Sequence, residues 1–403
     1  MKVERHRGKR ALALKKVVTA SIAVASVSGL VAGCTINPNR LPKVTAEHQQ
    51  QDQGPKISVE DGSKDVNPAK PVTVEAGSAP LADVTMTNDA GKEVKAKLSE
   101  DGTSWTTDED LGYYRQYTLK AKDKNDKTVT AEFTTTKPSG TTSVAISPTS
   151  GSEVGVGQTI MFNFGQSVYD RKAAENAIKV ETEPRVEGAF YWLNNSMVRW
   201  RPKEFWKPGT KVKVHADLYG TNLGNETFGQ DDNSTDFTIG DQVISEVDSN
   251  TKKMVVKRNG EKIKEMPVSL GNAANPTPNG TYFVGDRNPS MIMNSETFGL
   301  PIDKGGYKTK VNWATQLSWS GIYAHSAPWS VWAQGNTDTS HGCINLSPEN
   351  AKWYLELSKP GDVVKVKNTN GGELSGVDGL GDWNISWDKW SKGNADEGPG
   401  SSN

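Results

Sequence analysis

Between residues 57 and 240 apolar and polar residues alternate with a period of two, and turn residues break the alternation every few positions. Only a pleated strand with one buried face gives that period. The segments "PVTVEA", "DVTMTN", "KEVKAKL", "QYTLKAK" and "TVTAEFTTT" are separated by Asn88-Asp89-Ala90-Gly91, Asp101-Gly102 and Asp123-Lys124-Asn125-Asp126. Short strands joined by such turns predict a small antiparallel sandwich over 57–138. A second sandwich is predicted over 139–240, through "SVAISPTSGSEVGVGQTIMFNF", "YWLNNSMVRWRP", "TKVKVHADLYG" and "STDFTIG". Its one helical hint is "DRKAAENAI" at 170–178. Neither unit carries a nucleophile constellation: His215 lies inside an alternating strand and reads as a satisfied structural histidine. Asp231-Asp232 fall short of a cation site, because a hard cation needs more oxygen ligands at fixed spacing.

From Asp241 the texture changes. "MVVKRNGEKIKEMPVSL" predicts a hairpin whose Asn259-Gly260 pair supplies the positive φ angles of a two-residue turn. More strands are predicted at "TYFVG", "SMIMN", "QLSWSGIYAHS" and "DVVKVK", with one helix capped by Ser347, opened by Pro348 and closed by Pro360-Gly361. These make 241–368 a β-rich domain with one packed helix. The remainder, 369–403, places Trp383, Trp387 and Trp390 at i, i+4 and i+7, which predicts one helical stripe in a strap docked on the folded body, followed by a disordered tail. The fold class is therefore mainly β.

The N-terminus sets the compartment. A basic arm (Lys2, Arg5, Arg7, Lys9, Arg10, Lys15, Lys16) leads into an apolar run from 17 to 32, shorter than the ~20 residues of a spanning helix. Val31-Ala32-Gly33-Cys34 resembles a bacterial lipobox. Residues 1–33 thus read as a lipoprotein signal peptide and Cys34 as the lipidated residue, anchoring the chain to the outer face of the cell membrane; the alternatives are an ordinary signal peptide followed by an accidental Cys, or an uncleaved anchor helix. Residues 34–56, rich in Pro, Asn and Gln, read as a flexible tether. A formal net charge of −1 with 24% charged residues gives no cationic footprint for nucleic acid.

The chain has two cysteines. With Cys34 acylated, Cys343 has no partner for a disulfide, and an unpaired thiol in a secreted chain is a candidate nucleophile. It sits in "TDTSHGCINLSPENA". An imidazole within hydrogen-bond reach would activate it, and two are candidates. His341 would share a face with Cys343 on an extended strand; His325, 343 − 325 = 18 residues upstream, ends a predicted strand that a loop could fold back. Gly342, lacking a Cβ, would let the Gly342 and Cys343 N–H groups point at an oxyanion. Asn345 could orient a side chain or hold a substrate carboxylate or amide. One Cys and one His together would more often be a buried free thiol beside a chance histidine; His, Gly and Asn at this spacing argue against that.

His325, fourteen residues, then Ser340-His341-Gly342-Cys343-Ile344-Asn345 resembles the signature of the YkuD-type L,D-transpeptidases. The surrounding "YAHSAPWSVWAQGNTDTSHGCINLSPENAKWY" and the Trp-rich ending are similar to the mycobacterial and actinobacterial lipoprotein branch, whose catalytic domain follows two immunoglobulin-like domains. The resemblance implies that Cys343 attacks the bond between diaminopimelate and D-Ala in a peptidoglycan tetrapeptide stem. The resulting thioester would pass to the diaminopimelate amine of a second stem. It also implies His325 as general base, oriented by the Ser326 carbonyl, with His341 supporting. Tyr307 becomes a lid residue that lends a backbone N–H near the oxyanion; Ser320, Gly321 and Asn345 become stem contacts, and Met293 and Trp329 pocket walls. Phe298 stands where relatives often carry a lid tyrosine. No cofactor or metal is implied, and carbapenem β-lactams are the implied covalent inhibitors. Water as acceptor would make the protein an L,D-carboxypeptidase. A wall-binding lipoprotein with a degenerate catalytic domain would lack His325 or Cys343, and both are present; a thiol protease fits the lid and stem-contact residues less well.

Overall fold

The computed structural model describes residues 53–397. The expected signal peptide, Cys34 and most of the expected tether lie outside them, as do residues 398–403. The described chain is mainly β and is organised around three large apolar cores, with a smaller cluster around Met293 and Cys343. In the first, a three-stranded sheet of Leu81–Asn88, Gln116–Asp123 and Thr128–Thr134 faces a four-stranded sheet built on Thr73–Glu75 and Ser104–Thr107. Alternation in Gln116–Asp123 puts Tyr117, Leu119 and Ala121 inside, against Val74, Met86 and Trp105.

The second core lies between two four-stranded sheets and holds Phe162, Trp192, Trp206, Val214 and Phe237. A short helix, Arg171–Asn176, is capped by the Asp170 carboxylate. His215 is on the solvent face of Lys211–Ala216, so it is an exposed residue and not a satisfied core histidine. The Asp232 carboxylate accepts the Tyr219 N–H at 2.8 Å.

The third core belongs to the C-terminal domain. Strands β1 (Val243–Asp248), β2 (Lys253–Arg258), β3 (Glu261–Pro267), β4 (Gly280–Phe283) and β9 (Val363–Lys367) form one sheet. Strands β5 (Arg287–Asn294), β6 (Lys308–Gln316), β7 (Tyr323–Ser326) and β8 (Ile344–Leu346) form the other. Asn259 and Gly260, at φ 52° and 88°, close the β2–β3 hairpin. Helix α1 (Pro348–Leu357), whose Ser347 cap accepts the Asn350 N–H, packs on the second sheet and buries Ala351 and Tyr354.

The second and third domains are continuous: Val363 joins the second apolar core, and the Gly155 and Gly157 N–H groups donate to the Pro360 and Gly361 carbonyls at 2.8 Å each. A Cβ on Gly155 would stand 2.2 Å from the Asp362 nitrogen, so only glycine permits this approach.

The strap differs from the single helical stripe its spacing predicts. It has a 3₁₀ turn at Asp382–Asn384 and one helical turn at Trp387–Trp390. Its tryptophans converge instead on one cation, the Arg201 guanidinium of the second sandwich, 4.5, 5.4 and 4.5 Å from the ring centres of Trp383, Trp387 and Trp390. Arg201 Nη2 donates to the Ile385 carbonyl at 2.8 Å, and burial pushes its pKa down to about 10. Beside it, Arg199 donates to the Gly379 carbonyl at 2.6 Å and pairs with buried Asp382 at 3.5 Å. Cation–π contacts satisfy a buried guanidinium where carbonyl acceptors run short, which explains why the stripe is aromatic.

Candidate active site

The parallel pair β7–β8 brings His325 level with Asn345, and the turn before β8 carries Cys343 to the floor of a cavity of about 310 Å³. Met293, Tyr307, His325, Trp329 and His341 wall this cavity together with Asn345. Residues 340–343 form a tight turn and not the extended strand that would place His341 on the face of Cys343. Gly342 has φ +117°, a backbone conformation that L side chains rarely adopt. His341 is consequently exposed, with its ring centre 5.2 Å from that of Tyr307.

His325 is buried, and its Nδ1 lies 3.0 Å from the Ser326 carbonyl. A carbonyl only accepts, so Nδ1 carries the proton and Nε2 is left as the acceptor. Burial lowers the His325 pKa below its ordinary value, with the Ser326 carbonyl opposing the fall. Burial also raises the Cys343 thiol to about 11, against the Tyr323 backbone and the Tyr307 hydroxyl. The resting pair is therefore a neutral imidazole and a protonated thiol. The thiol does not bond to His325; it donates to the Gly321 carbonyl at 3.6 Å.

Two N–H groups assigned to an oxyanion site are occupied otherwise. The Gly342 N–H donates to Ser340 Oγ at 3.1 Å, and that hydroxyl donates to the Cys343 carbonyl at 2.7 Å, closing the turn on itself. The Tyr307 N–H donates to Ser295 Oγ at 2.7 Å, so Tyr307 presents its hydroxyl to the sulfur and not its backbone. Among the described residues the Cys343 N–H has no assigned acceptor.

Met293 is buried and packs with Val311, Ala314, Tyr323 and Cys343. Trp329 is 54% exposed at the rim, its ring centre 6.0 Å from that of His325. Asn345 is anchored through its Nδ2 to Ser330 Oγ at 3.0 Å. The Phe298 ring covers Gly321, where any Cβ would fall 2.5 Å from it. Ser320 is not brought to the cavity wall: its N–H and that of Trp319 are held by the Asp378 carboxylate of the strap, at 3.1 and 2.7 Å. Ser295 and Ser330, which hold Tyr307 and Asn345 from outside the motif, lie in stretches with no local pattern that marks them.

Fold and site together define a multidomain enzyme, a β-rich catalytic domain with a cysteine-centred cavity carried on two sandwich modules. Residues 242–366 match the L,D-transpeptidase catalytic domain family, and residues 63–222 match a bacterial Ig domain family. The chain is 51% identical over 359 residues to L,D-transpeptidase 2 of Mycobacterium tuberculosis, covering 88% of this chain and 85% of that protein. To L,D-transpeptidase 5 of the same species it is 34% identical over 342 residues, 82% and 74% of the two chains. A solved structure of an LD transpeptidase in complex with imipenem superposes with a TM-score of 0.50 and 36% identity, covering 56% of this chain and 99% of that one. The chain belongs to the L,D-transpeptidase family.

Proposed function

We propose that the protein cross-links peptidoglycan through a thioester on Cys343, and that it does so at the outer face of the cell membrane, tethered by lipidated Cys34. The observation that carries the chemistry is the neutral, tautomer-fixed His325 beside a protonated Cys343 in one cavity. Because neither group is charged at rest, proton transfer from Sγ to His325 Nε2 accompanies attack of sulfur on the diaminopimelate carbonyl of a tetrapeptide stem. The carbonyl π electrons move to oxygen. As the tetrahedral intermediate collapses, the C–N bond breaks and His325 returns the proton to the departing D-Ala amine. The diaminopimelate amine of a second stem then attacks the thioester, its proton passes to His325, and the thiol is regenerated. Met293 and Trp329 wall the donor, the Tyr307 hydroxyl covers the sulfur, and His341 supports that lid by packing its ring against Tyr307 at a tilt. The same nucleophile would capture carbapenems as a thioester, the strained lactam carbonyl taking the place of the stem amide carbonyl.

Incubating residues 53–403 with a disaccharide-tetrapeptide and weighing the products tests the assignment. Dimers that have lost one D-Ala support transpeptidation. Tripeptide alone identifies water as the acceptor and makes the protein a carboxypeptidase; unchanged tetrapeptide refutes both.

A further inference from the structure

We propose that Thr277 is a positioning residue for the oxyanion donor of this site, acting through the Gly342–Cys343 peptide. Thr277 is fully buried, between Pro276 and Pro278, in the connection that follows β3. Its hydroxyl accepts the Gly271 N–H at 2.9 Å and donates to the Gly342 carbonyl at 2.8 Å. The flanking Pro278 biases Thr277 towards extended backbone, and the Thr369 hydroxyl donates to the Thr277 carbonyl at 2.6 Å, so the clamp is itself held.

In a planar trans peptide the C=O and N–H point in opposite directions. Fixing the Gly342 carbonyl on Thr277, on the inner side of the turn, therefore fixes the Cys343 N–H on the other side. That N–H has no acceptor among the described residues, and Cys343 lines the cavity. Gly342 alone does not hold this orientation, because glycine at φ +117° turns freely and a Cβ there would meet nothing closer than 3.9 Å. The neighbouring Gly342 N–H is already committed to Ser340, so within the turn the oxyanion depends on the one amide that Thr277 aims. Donors fixed before the reaction stabilise the developing charge without reorganising.

The inference rests on Cys343 being the nucleophile, and the test separates the two. Imipenem acylation of Cys343 passes through an oxyanion; alkylation by iodoacetamide displaces iodide from a saturated carbon and forms none. Both are timed by intact mass for the wild type, Thr277→Val and Thr277→Ser. Thr277→Val should slow acylation by about 10-fold or more, below the ~10²–10³ of deleting a donor outright, with alkylation within about 2-fold of wild type. Thr277→Ser, which keeps the hydroxyl, should restore acylation. Equal acylation of Thr277→Val and wild type, or acylation and alkylation falling together, overturns the inference while leaving the nucleophile standing. A wild type that takes no imipenem on Cys343 overturns the parent reading instead. Should Thr277→Val fail to fold, ¹⁵N-labelled wild type decides: the Cys343 amide proton should move downfield on acylation, and an unmoved resonance overturns the proposal.

Discussion

Replacing Asp362 with Asn should stabilise the protein at pH 8 and not at pH 5. Asp362 is 1% exposed at the junction of the second and third domains. Its Oδ2 accepts the Lys359 N–H at 2.8 Å, while Oδ1 is buried without a partner among the described residues. Burial raises the carboxyl from 3.8 to about 7, against the Lys359 N–H and the charges of Lys359, Arg287 and Arg258. A carboxyl raised that far costs about 4 kcal/mol to ionise in place. Between about pH 4 and 7 the folded chain holds a proton that the unfolded chain has released. Stability is therefore greatest on the acid side and falls as pH rises through that window. Asn keeps the acceptor for Lys359 but buries an amide that needs its own partner, which gives back ~1–3 kcal/mol. The net gain at pH 8 is about 1–3 kcal/mol, and at pH 5 it vanishes or reverses. Urea unfolding of residues 53–403, followed by tryptophan fluorescence at both pH values, measures the difference. An equal shift at pH 5 and 8, or a less stable Asn variant at pH 8, would refute the reasoning.

Four further outcomes are expected. His325→Ala should lower cross-linking by ~10²–10⁴, while His341→Ala, which removes a solvent-facing ring, keeps measurable turnover in the same product assay. With the His325 pKa lowered by burial, the acid limb of kcat/KM should fall below pH 6.5, the ordinary histidine value; a limb above it would contradict a buried neutral base. Arg201→Met removes the cation shared by three tryptophans and should cost about 2 kcal/mol or more, seen as faster proteolysis within 375–397; unchanged resistance would show that the strap is held elsewhere. Cys34→Ala should release the protein from the membrane fraction or leave its signal uncleaved, and unchanged fractionation would remove the lipid anchor from the account.

What could be read from the sequence was local. The β architecture followed from period-two alternation, the hairpin from Asn259-Gly260, and the helix from Ser347-Pro348, because each is decided by neighbouring residues. That His325 and Cys343 share one cavity was legible for a related reason: few residue types support a thiol nucleophile, and the motif packs several into six positions. The directions of N–H groups were not legible. The Gly342 and Tyr307 N–H groups donate to Ser340 and Ser295, and composition does not encode which acceptor an N–H takes. Thr277 reaches the Gly342 carbonyl across 65 residues and Asp378 reaches the Ser320 N–H across 58, distances over which no periodicity survives. The tryptophan spacing misled because a helix and a three-sided cage around one guanidinium both fit i, i+4 and i+7.

The central claim is that Cys343 carries the acyl group. Rapid quenching of the enzyme with disaccharide-tetrapeptide as donor, followed by peptide mass mapping, tests it most directly. The account predicts that the Cys343 peptide gains the mass of the donor less D-Ala, and that this species is absent from Cys343→Ala. An acyl group on any other residue, or one that persists in Cys343→Ala, would contradict it.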